Sequence, residues 1–275
     1  MISIKSNREI ALMEEAGRIV ALAHKAVKEA IAPGVTTAEL DEVAEKVILA
    51  HGATPSFKGY NGFPGSICAS INNVVIHGIP NKKTKLKNGD IISIDIGACY
   101  KGYHGDSAMT HGVGEVSEQR KSLMEITKNA LFKGLEFAKP LNRLSDISHA
   151  IEAYVLEHGC SVVKDFTGHG VGRALHEDPM IPNYGETGHG PVLREGMTLA
   201  IEPMVNRGKS GVRILADDWT TVTCDGSDSA HFEHSIVITK DGYKILTIEG
   251  GNADVKKWCH RIKRDSYRCP TKFSF

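Results

Sequence analysis

An internal repeat constrains the fold of this chain more than any other feature of its sequence. Residues 107 positions apart match as proline with proline, histidine-glycine with histidine-glycine, and glycine with glycine: Pro33 and Pro140, His51-Gly52 and His158-Gly159, Gly89 and Gly196. The same shift lays GDIISID over GMTLAIE, so each strand-like run ends in a carboxylate, Asp95 or Glu202. The repeat therefore predicts two related halves, each with two helices followed by strands, and a cleft between them.

Capping residues and apolar periodicity predict where the helices begin and end. A first helix is expected to start at Ser6 or Asn7, a second to be capped by Thr37 and to end at Gly52, and a third to be capped by Ser117. ICASINNVVIHGIP is predicted to be a strand, and IISIDIGACYKGYHGDSAMTHGVG a strand, a turn and a second strand. Helices and strands in this order predict an α+β fold.

Composition and charge exclude several classes of protein. Lysine plus arginine and aspartate plus glutamate both number 33, so no net field attracts nucleic acid or a membrane. No apolar run approaches the roughly 20 residues that span a bilayer. The N-terminal segment carries Glu9, Glu14 and Glu15 and lacks the apolar core of a signal peptide. The six cysteines form no C-x-x-C pair, which favours a cytoplasmic location over a disulfide framework or a zinc finger.

The repeat pattern ends near residue 250. We therefore expect residues 1–250 to form a single domain of two related halves. Residues 251–275 are predicted to be an appended basic tail, because seven lysines and arginines stand there against Asp254 and Asp265.

The stretch DFTGHGVGRALHEDP, from Asp165 to Pro179, places two histidines among closely spaced glycines. A dinucleotide-binding G-x-G-x-x-G turn needs glycine where Arg173 stands, and an H-E-x-x-H zinc helix needs histidine where Met180 stands. Both interpretations fail on those positions. Two remain at this point: a metal ligand with a helper histidine, or a turn-rich loop with incidental histidines.

Four carboxylates lie on or beside predicted strands among apolar neighbours: Asp95, Asp106, Glu202 and Glu233. Brought together and left without cations, such groups would repel one another strongly. Two divalent cations would balance them, with the imidazole of His169 as a neutral fifth ligand. A set rich in oxygen with one imidazole suits Mn, Fe, Co or Zn, and a pair of such ions can activate water for hydrolysis.

Taken together, these segments resemble the type I methionine aminopeptidases. The matching segments occur in the order of that family over about residues 1–250: NNVVIHGIP, NGDIISIDIGACYKGYHGDS, GHGVGRALHEDP, GMTLAIEPM and DDWTTVTCDGSDSAHFEHSIVIT. The resemblance implies the pita-bread (creatinase/aminopeptidase) fold, with two pseudo-symmetric halves and an antiparallel sheet flanked by helices. It also implies a catalytic domain that removes the N-terminal methionine from nascent proteins and peptides, favouring a small second residue.

The resemblance further implies a role for each matching site residue. The ligands of two divalent metal ions would be Asp95, Asp106, His169, Glu202 and Glu233, with Asp106 and Glu233 bridging. In catalysis, Glu202 would move the proton of the attacking water, His77 would contact the scissile amide, and His176 would bind the substrate carbonyl. The methionine side chain would meet Tyr60, Phe63, Cys68 and Trp219. A monovalent cation would lie at Asn72, Val74 and Ser229.

Some neighbouring positions carry separate expectations. Leu175 stands where an aromatic side chain often lines the pocket of this family. His231 and His234, which flank Glu233, are predicted to lie near the metal ligands or at the surface rather than to bind metal.

Two other functions are compatible with parts of the sequence. An X-Pro aminopeptidase or dipeptidase uses the same metal cage but usually carries an additional N-terminal domain. A metal-free, nucleic-acid-associated relative of this fold has typically lost cage ligands, whereas all five are present here. The resemblance favours a monomeric enzyme that acts on nascent polypeptides and has no membrane partner. The basic tail would then dock on ribosomal RNA or remain a solvated extension.

Overall fold

A computed structural model describes residues 1–249, which form four α-helices, one short 3₁₀-helix (Tyr60–Gly62) and fifteen short or medium strands. The first half contains the following elements: α1 (Asn7–Ala30), α2 (Thr37–Ala50), β1 (Thr54–Pro55), β2 (Ile67–Ile71), β3 (Val74–Ile76), β4 (Ile91–Tyr100) and β5 (Tyr103–Gly112). The second half begins with α3 (Glu118–Leu135), α4 (Leu144–Glu157), β6 (Ser161–Val162), β7 (Gly168–Gly170) and β8 (Glu177–Ile181). It continues with β9 (Thr198–Ile201), β10 (Met204–Asn206), β11 (Val212–Ile214), β12 (Thr221–Thr223), β13 (Ser229–His231), β14 (His234–Thr239) and β15 (Gly242–Ile245). The predicted basic tail, residues 251–275, lies outside the described residues.

The predicted antiparallel strand pairing is confirmed, and one sheet connects the two halves. In the first half β4 pairs with β1, β2 and β5, and in the second half a sheet has the order β15-β14-β9-β7-β8. A third sheet, β11-β12-β3, joins a strand of the first half to two strands of the second. All of these pairs are antiparallel. Among the helices of residues 1–249, none combines the length and the hydrophobicity that a bilayer-spanning segment needs.

The backbone repeats with the same 107-residue period as the sequence. Strand pairing is the clearest case, since Thr54 lies opposite Cys99 in the first half and Ser161 opposite Asn206 in the second. Isolated bridges recur in the same way, between Thr36 and Lys85 and between Arg143 and Val192. Gly52 and Gly159, which follow α2 and α4, have φ of 71° and 67°, a left-handed conformation that glycine adopts without strain. The two-half architecture predicted from the sequence is therefore confirmed.

Two of the three predicted helix caps are confirmed, and one is shifted by a residue. Ser6 and Ser117 cap α1 and α3 through their hydroxyls. The cap of α2 is Thr36 rather than Thr37, because Thr36 is extended and exchanges hydrogen bonds with Glu39 as a capping box. The predicted strand from Ile67 onward is also interrupted, since Asn72, with φ of 53°, separates β2 from β3.

Each half has its own apolar core. In the first half, α1 and α2 pack on β4 through residues such as Ile19, Ile48 and Ile94. In the second, α3 and α4 cover β9 and β14. Within the first half, α1 crosses β5 so closely that a Cβ on Gly105 would lie 2.7 Å from the backbone nitrogen of Gly17. The strand ends bearing the carboxylates therefore rest on sheets that are each covered by a pair of helices.

Candidate metal centre

The β4–β5 hairpin brings Asp95 and Asp106 to the same part of one sheet. Its turn consists of Lys101 and Gly102, which both have positive φ, at 49° and 80°, as a two-residue hairpin requires. In the resulting register Asp106 lies opposite Gly97, and Asp95 lies opposite Ala108. The strand, turn and second strand predicted for this segment are therefore present.

The second half contributes Glu202, just after β9, and Glu233, just before β14. Their neighbours Ile201 and His234 pair directly, which places the two carboxylates side by side. The backbone N–H of Glu233 donates to the carbonyl of Ala108 at 2.8 Å. The two sheets therefore meet where their carboxylates lie.

His169, on β7, completes the group. Its Nε2 lies 3.5 Å from Glu202 Oε1 and 3.8 Å from Asp106 Oδ2. Its Nδ1 lies 2.8 Å from the carbonyl oxygen of Gly170, an acceptor, so Nδ1 carries the proton and the lone pair of Nε2 is free to bind a metal. One ligand atom each from Asp106, His169 and Glu233 lies within 4.8 Å of the others, as a metal site requires.

Burial leaves these carboxylates unbalanced. Burial first, and then the charge of Asp106, raises the pKa of Asp95, Glu202 and Glu233 well above the ordinary values. Burial also raises the pKa of Asp106 to about 7. Within residues 1–249, the ion-pair partners of Asp106 and Glu202 are imidazoles rather than lysine or arginine.

Three buried oxygens of this group have no hydrogen-bond partner among the described residues: Asp95 Oδ1, Asp106 Oδ1 and Glu233 Oε1. Unpaired buried acceptors are costly in a folded protein unless a cation binds them. Burial and then the neighbouring His176 lower the pKa of His169 to about 4, so this imidazole is neutral, the form that binds metal. The residues present therefore fit divalent cations.

The group opens into a cavity of about 270 Å³ whose other walls are largely apolar. The cavity is lined by all five predicted ligands, both predicted catalytic histidines and the four predicted pocket residues: Asp95, Asp106, His169, Glu202, Glu233, His77, His176, Tyr60, Phe63, Cys68 and Trp219. Sequence reasoning missed further lining residues: Phe57, Asn61, Ile76, Phe166 and Thr167. Phe57 and Asn61 lie in the same turn-rich segment as Tyr60 and Phe63. Their closeness in sequence to these two predicted pocket residues could have indicated them.

Aromatic contacts define the apolar wall. The rings of Phe63 and Trp219 meet edge to face with centroids 5.1 Å apart, and His77 meets Trp219 at 5.8 Å. Leu175 is buried in this wall beside Cys68. Burial, and then the charge of Asp95, raises the pKa of the Cys68 thiol well above its usual value, so the thiol is protonated and acts as an apolar wall group.

The histidines around the cavity are neutral for a common reason. Burial, followed by repulsion from the protonated form of His176, lowers the pKa of His77 to about 4, and partial burial of its own ring lowers the pKa of His176. His231 is buried with Nε2 3.5 Å from Glu202 Oε2, near the ligands as predicted. His234 is also buried, but its Nδ1 lies 2.9 Å from Thr247 Oγ1, so neither histidine is at the surface.

The residues predicted to hold a monovalent cation lie on neighbouring segments. The backbone N–H of Ser229 donates to the carbonyl of Asn72 at 2.8 Å, and Val74 pairs with Val222 of β12. The side chain of Asn72 donates to Asp90 and accepts from the N–H of Ile91. The segments that carry Asn72 and Ser229 are therefore hydrogen-bonded to each other. Cation binding at this site stays a prediction.

Comparison with known proteins agrees with this geometry. The model of metallopeptidase family M24 matches residues 11–240. Methionine aminopeptidase 1 of Bacillus subtilis is 58% identical over 247 residues, which are 90% of this chain and 99% of that protein. The crystal structure of a methionine aminopeptidase from Thermotoga maritima superimposes with a TM-score of 0.90 at 48% identity and covers 90% of this chain and 100% of that one.

A prolidase from Pyrococcus furiosus is similar at a lower level. It superimposes with a TM-score of 0.72 at 27% identity, and the match covers 90% of this chain but only 65% of the prolidase. The pita-bread architecture is thus common to both kinds of relative, while full-length correspondence is found with the methionine aminopeptidases. With a family model matched over most of its length, the chain belongs to metallopeptidase family M24.

Proposed function

We propose that this chain is a type I methionine aminopeptidase, which hydrolyses the first peptide bond of nascent proteins and peptides that begin with methionine. The observation that carries the proposal is one cavity in which an apolar wall adjoins a cluster of four carboxylates and one imidazole. The identity to relatives named methionine aminopeptidase, over nearly their full length, supports the same activity.

Two divalent metal ions would be held by Asp95, Asp106, His169, Glu202 and Glu233, which line one cavity. The unpaired buried oxygens and the neutral His169 support this assignment. When bound, such a pair supplies the positive charge that activates water and stabilises negative charge on the substrate oxygen. The donor set suits Mn, Fe, Co or Zn.

The apolar wall would bind the methionine side chain. Phe63 and Trp219 offer ring faces and edges, and the neutral thiol of Cys68 offers a soft, polarizable contact to a thioether. A pocket enclosed in this way favours a long unbranched apolar side chain. A small second residue is preferred in the proposed reaction, as the resemblance to the family implies.

Three residues of the chain would act on the water or the substrate during hydrolysis. A carboxylate oxygen of Glu202, which lines the cavity, takes the proton of the attacking water and passes it to the leaving amine. His176 donates a hydrogen bond to the substrate carbonyl as negative charge develops on it. His77, on the same cavity wall, contacts the scissile amide.

Peptide hydrolysis with and without a chelator tests the proposal. We expect methionine release from Met-Ala-Ser, loss of that release with chelator, and recovery on adding back metal, with little cleavage of Ala-Pro. Glu202→Gln abolishes the release, whereas Glu195→Gln, at an exposed position, retains it. Cleavage of Ala-Pro without release of methionine would instead identify an X-Pro hydrolase, and a fully active Glu202→Gln protein would contradict the proton transfer.

The cellular setting is part of the same proposal. We infer a monomer in the cytoplasm that meets nascent chains at the ribosome. Free cysteines at positions 68, 99, 160 and 224 support a reducing compartment. Cosedimentation with ribosomes, compared between the full chain and one ending at residue 249, tests whether the basic tail contributes.

A further inference from the structure

One hydrogen bond spans the mouth of the cavity between the two halves. The hydroxyl oxygen of Tyr60 lies 2.8 Å from Nδ1 of His176, and the two rings have centroids 5.2 Å apart. On its other side the His176 ring meets His169 edge to face at 4.2 Å. The imidazole is thus held between a phenol and a metal ligand, and only Nε2 remains for a substrate.

The segment that carries Tyr60 is braced locally. Gly59, Asn61 and Gly62 have φ of 84°, 49° and 88°, so the chain folds tightly around the tyrosine. The N–H of Gly59 donates to the carbonyl of Phe63, and the N–H of Phe63 donates to that of Tyr60. The phenol is therefore presented from a closed loop.

The segment that carries His176 is braced by residues of the first half. The N–H of His104 donates to the carbonyl of Gly172 at 2.8 Å. Lys5 forms an ion pair with Glu177, whose carboxylate also accepts the N–H of Ala174 at 3.2 Å. Both segments are therefore held by contacts of their own, and the Tyr60–His176 hydrogen bond connects them.

We propose that Tyr60 is a positioning residue: its hydroxyl donates to Nδ1 of His176 and so keeps the proton of the neutral imidazole on Nε2, which faces the substrate carbonyl. An imidazole that accepts at Nδ1 carries its single proton on Nε2 and can donate there. The opposite tautomer would present a lone pair to the carbonyl oxygen and could not stabilise it. This role goes beyond lining the methionine pocket, and it rests on the proposed function.

The test combines Tyr60→Phe, which removes only the hydroxyl, with nitrogen NMR of histidine-labelled protein. His176→Asn identifies the His176 signals, and spectra are taken metal-free and with Zn²⁺. We expect the Nε2–H tautomer at His176 in the unsubstituted protein and a loss of that preference in Tyr60→Phe. For Met-Ala-Ser, kcat falls about 3- to 10-fold, the value of one hydrogen bond, while KM changes by less than about twofold.

Tyr154→Phe is the matched control. It removes a hydroxyl on α4 that accepts a hydrogen bond from Asn129 at 3.2 Å, and Tyr154 is not among the residues that line the cavity. It should leave both kcat and the His176 tautomer unchanged. An Nδ1–H tautomer in the unsubstituted protein, or an unaltered tautomer or kcat in Tyr60→Phe, overturns the proposal. The tautomer is measured without turnover, so it is decided even if the protein releases no methionine, a result that would overturn the proposed function instead.

Discussion

Removing the metal should make the stability of this protein fall as pH rises, the reverse of ordinary acid denaturation. Burial raises the folded-state pKa of Asp106 from 3.8 to about 7. A carboxyl with a raised folded-state pKa contributes its full stability below pH 3.8, and that contribution is lost as pH rises through about 7.

The magnitude follows from the size of the shift. Each pKa unit corresponds to about 1.4 kcal/mol, so ionising Asp106 by pH 8 costs the metal-free protein on the order of 4 kcal/mol. The pKa values of Asp95, Glu202 and Glu233 are raised in the same direction, so these residues add to the effect. Bound cations favour the ionised carboxylates and should remove most of it.

Urea unfolding of chelated and metal-loaded protein between pH 5.5 and 8 measures this directly. We expect the difference in unfolding free energy between metal-loaded and chelated protein to grow as pH rises. Metal binding at pH 7 should also release at least about half a proton from Asp106 alone, because its pKa in the metal-free protein is about 7. Asp106→Asn should reduce the change in unfolding free energy with pH in the chelated protein. Asp241→Asn, at a surface turn, should leave that change as it is. A gap that is equal at pH 5.5 and 8 would refute the electrostatic reasoning.

Three further predictions concern the frame and the pocket. Gly105→Ala should lower the free energy of unfolding by several kcal/mol in a denaturant titration, because its Cβ would lie 2.7 Å from the backbone nitrogen of Gly17; an unchanged midpoint would contradict the tight crossing. Thr36→Ala should cost about 1 kcal/mol through loss of the α2 cap, whereas Ser210→Ala in a loop serves as control; equal effects of the two would count against the cap. Cys68→Ser should raise KM for Met-Ala-Ser about 3- to 10-fold with a smaller change in kcat, since a hydroxyl is costlier to bury than a thiol, and an unchanged KM would remove Cys68 from the methionine pocket.

The sequence predicted those features that depend on local pattern or on the repeat. The capping signals at Ser6 and Ser117 gave correct helix starts, and the duplicated strand ends correctly placed Asp95 and Glu202 in one cavity. Thr36 and Thr37 are both able to cap, and only the backbone conformation decides between them. This ambiguity explains the one-residue error.

Long-range packing was not predictable in the same way. The pairing of β3 with β12 joins the two halves, but nothing in the sequence of either strand indicates which strand it pairs with. The proton position on His169 depends on the carbonyl of Gly170 lying 2.8 Å away, and the Tyr60–His176 bond depends on two loops more than 100 residues apart. Phe166 lines the cavity by the same kind of packing, although it lies only three residues before His169.

The cluster of four carboxylates and one histidine is proposed to hold divalent metal for the release of N-terminal methionine. The most direct measurement is a titration of the metal-free protein with Mn²⁺ while methionine release from Met-Ala-Ser and bound metal are followed together. We expect release to rise from the background with bound metal and to saturate near two ions per chain, and Glu233→Gln to weaken binding and release in parallel. Methionine release that is complete without bound metal, or metal binding that leaves release at background, would show that this cluster is not the metal centre of the reaction.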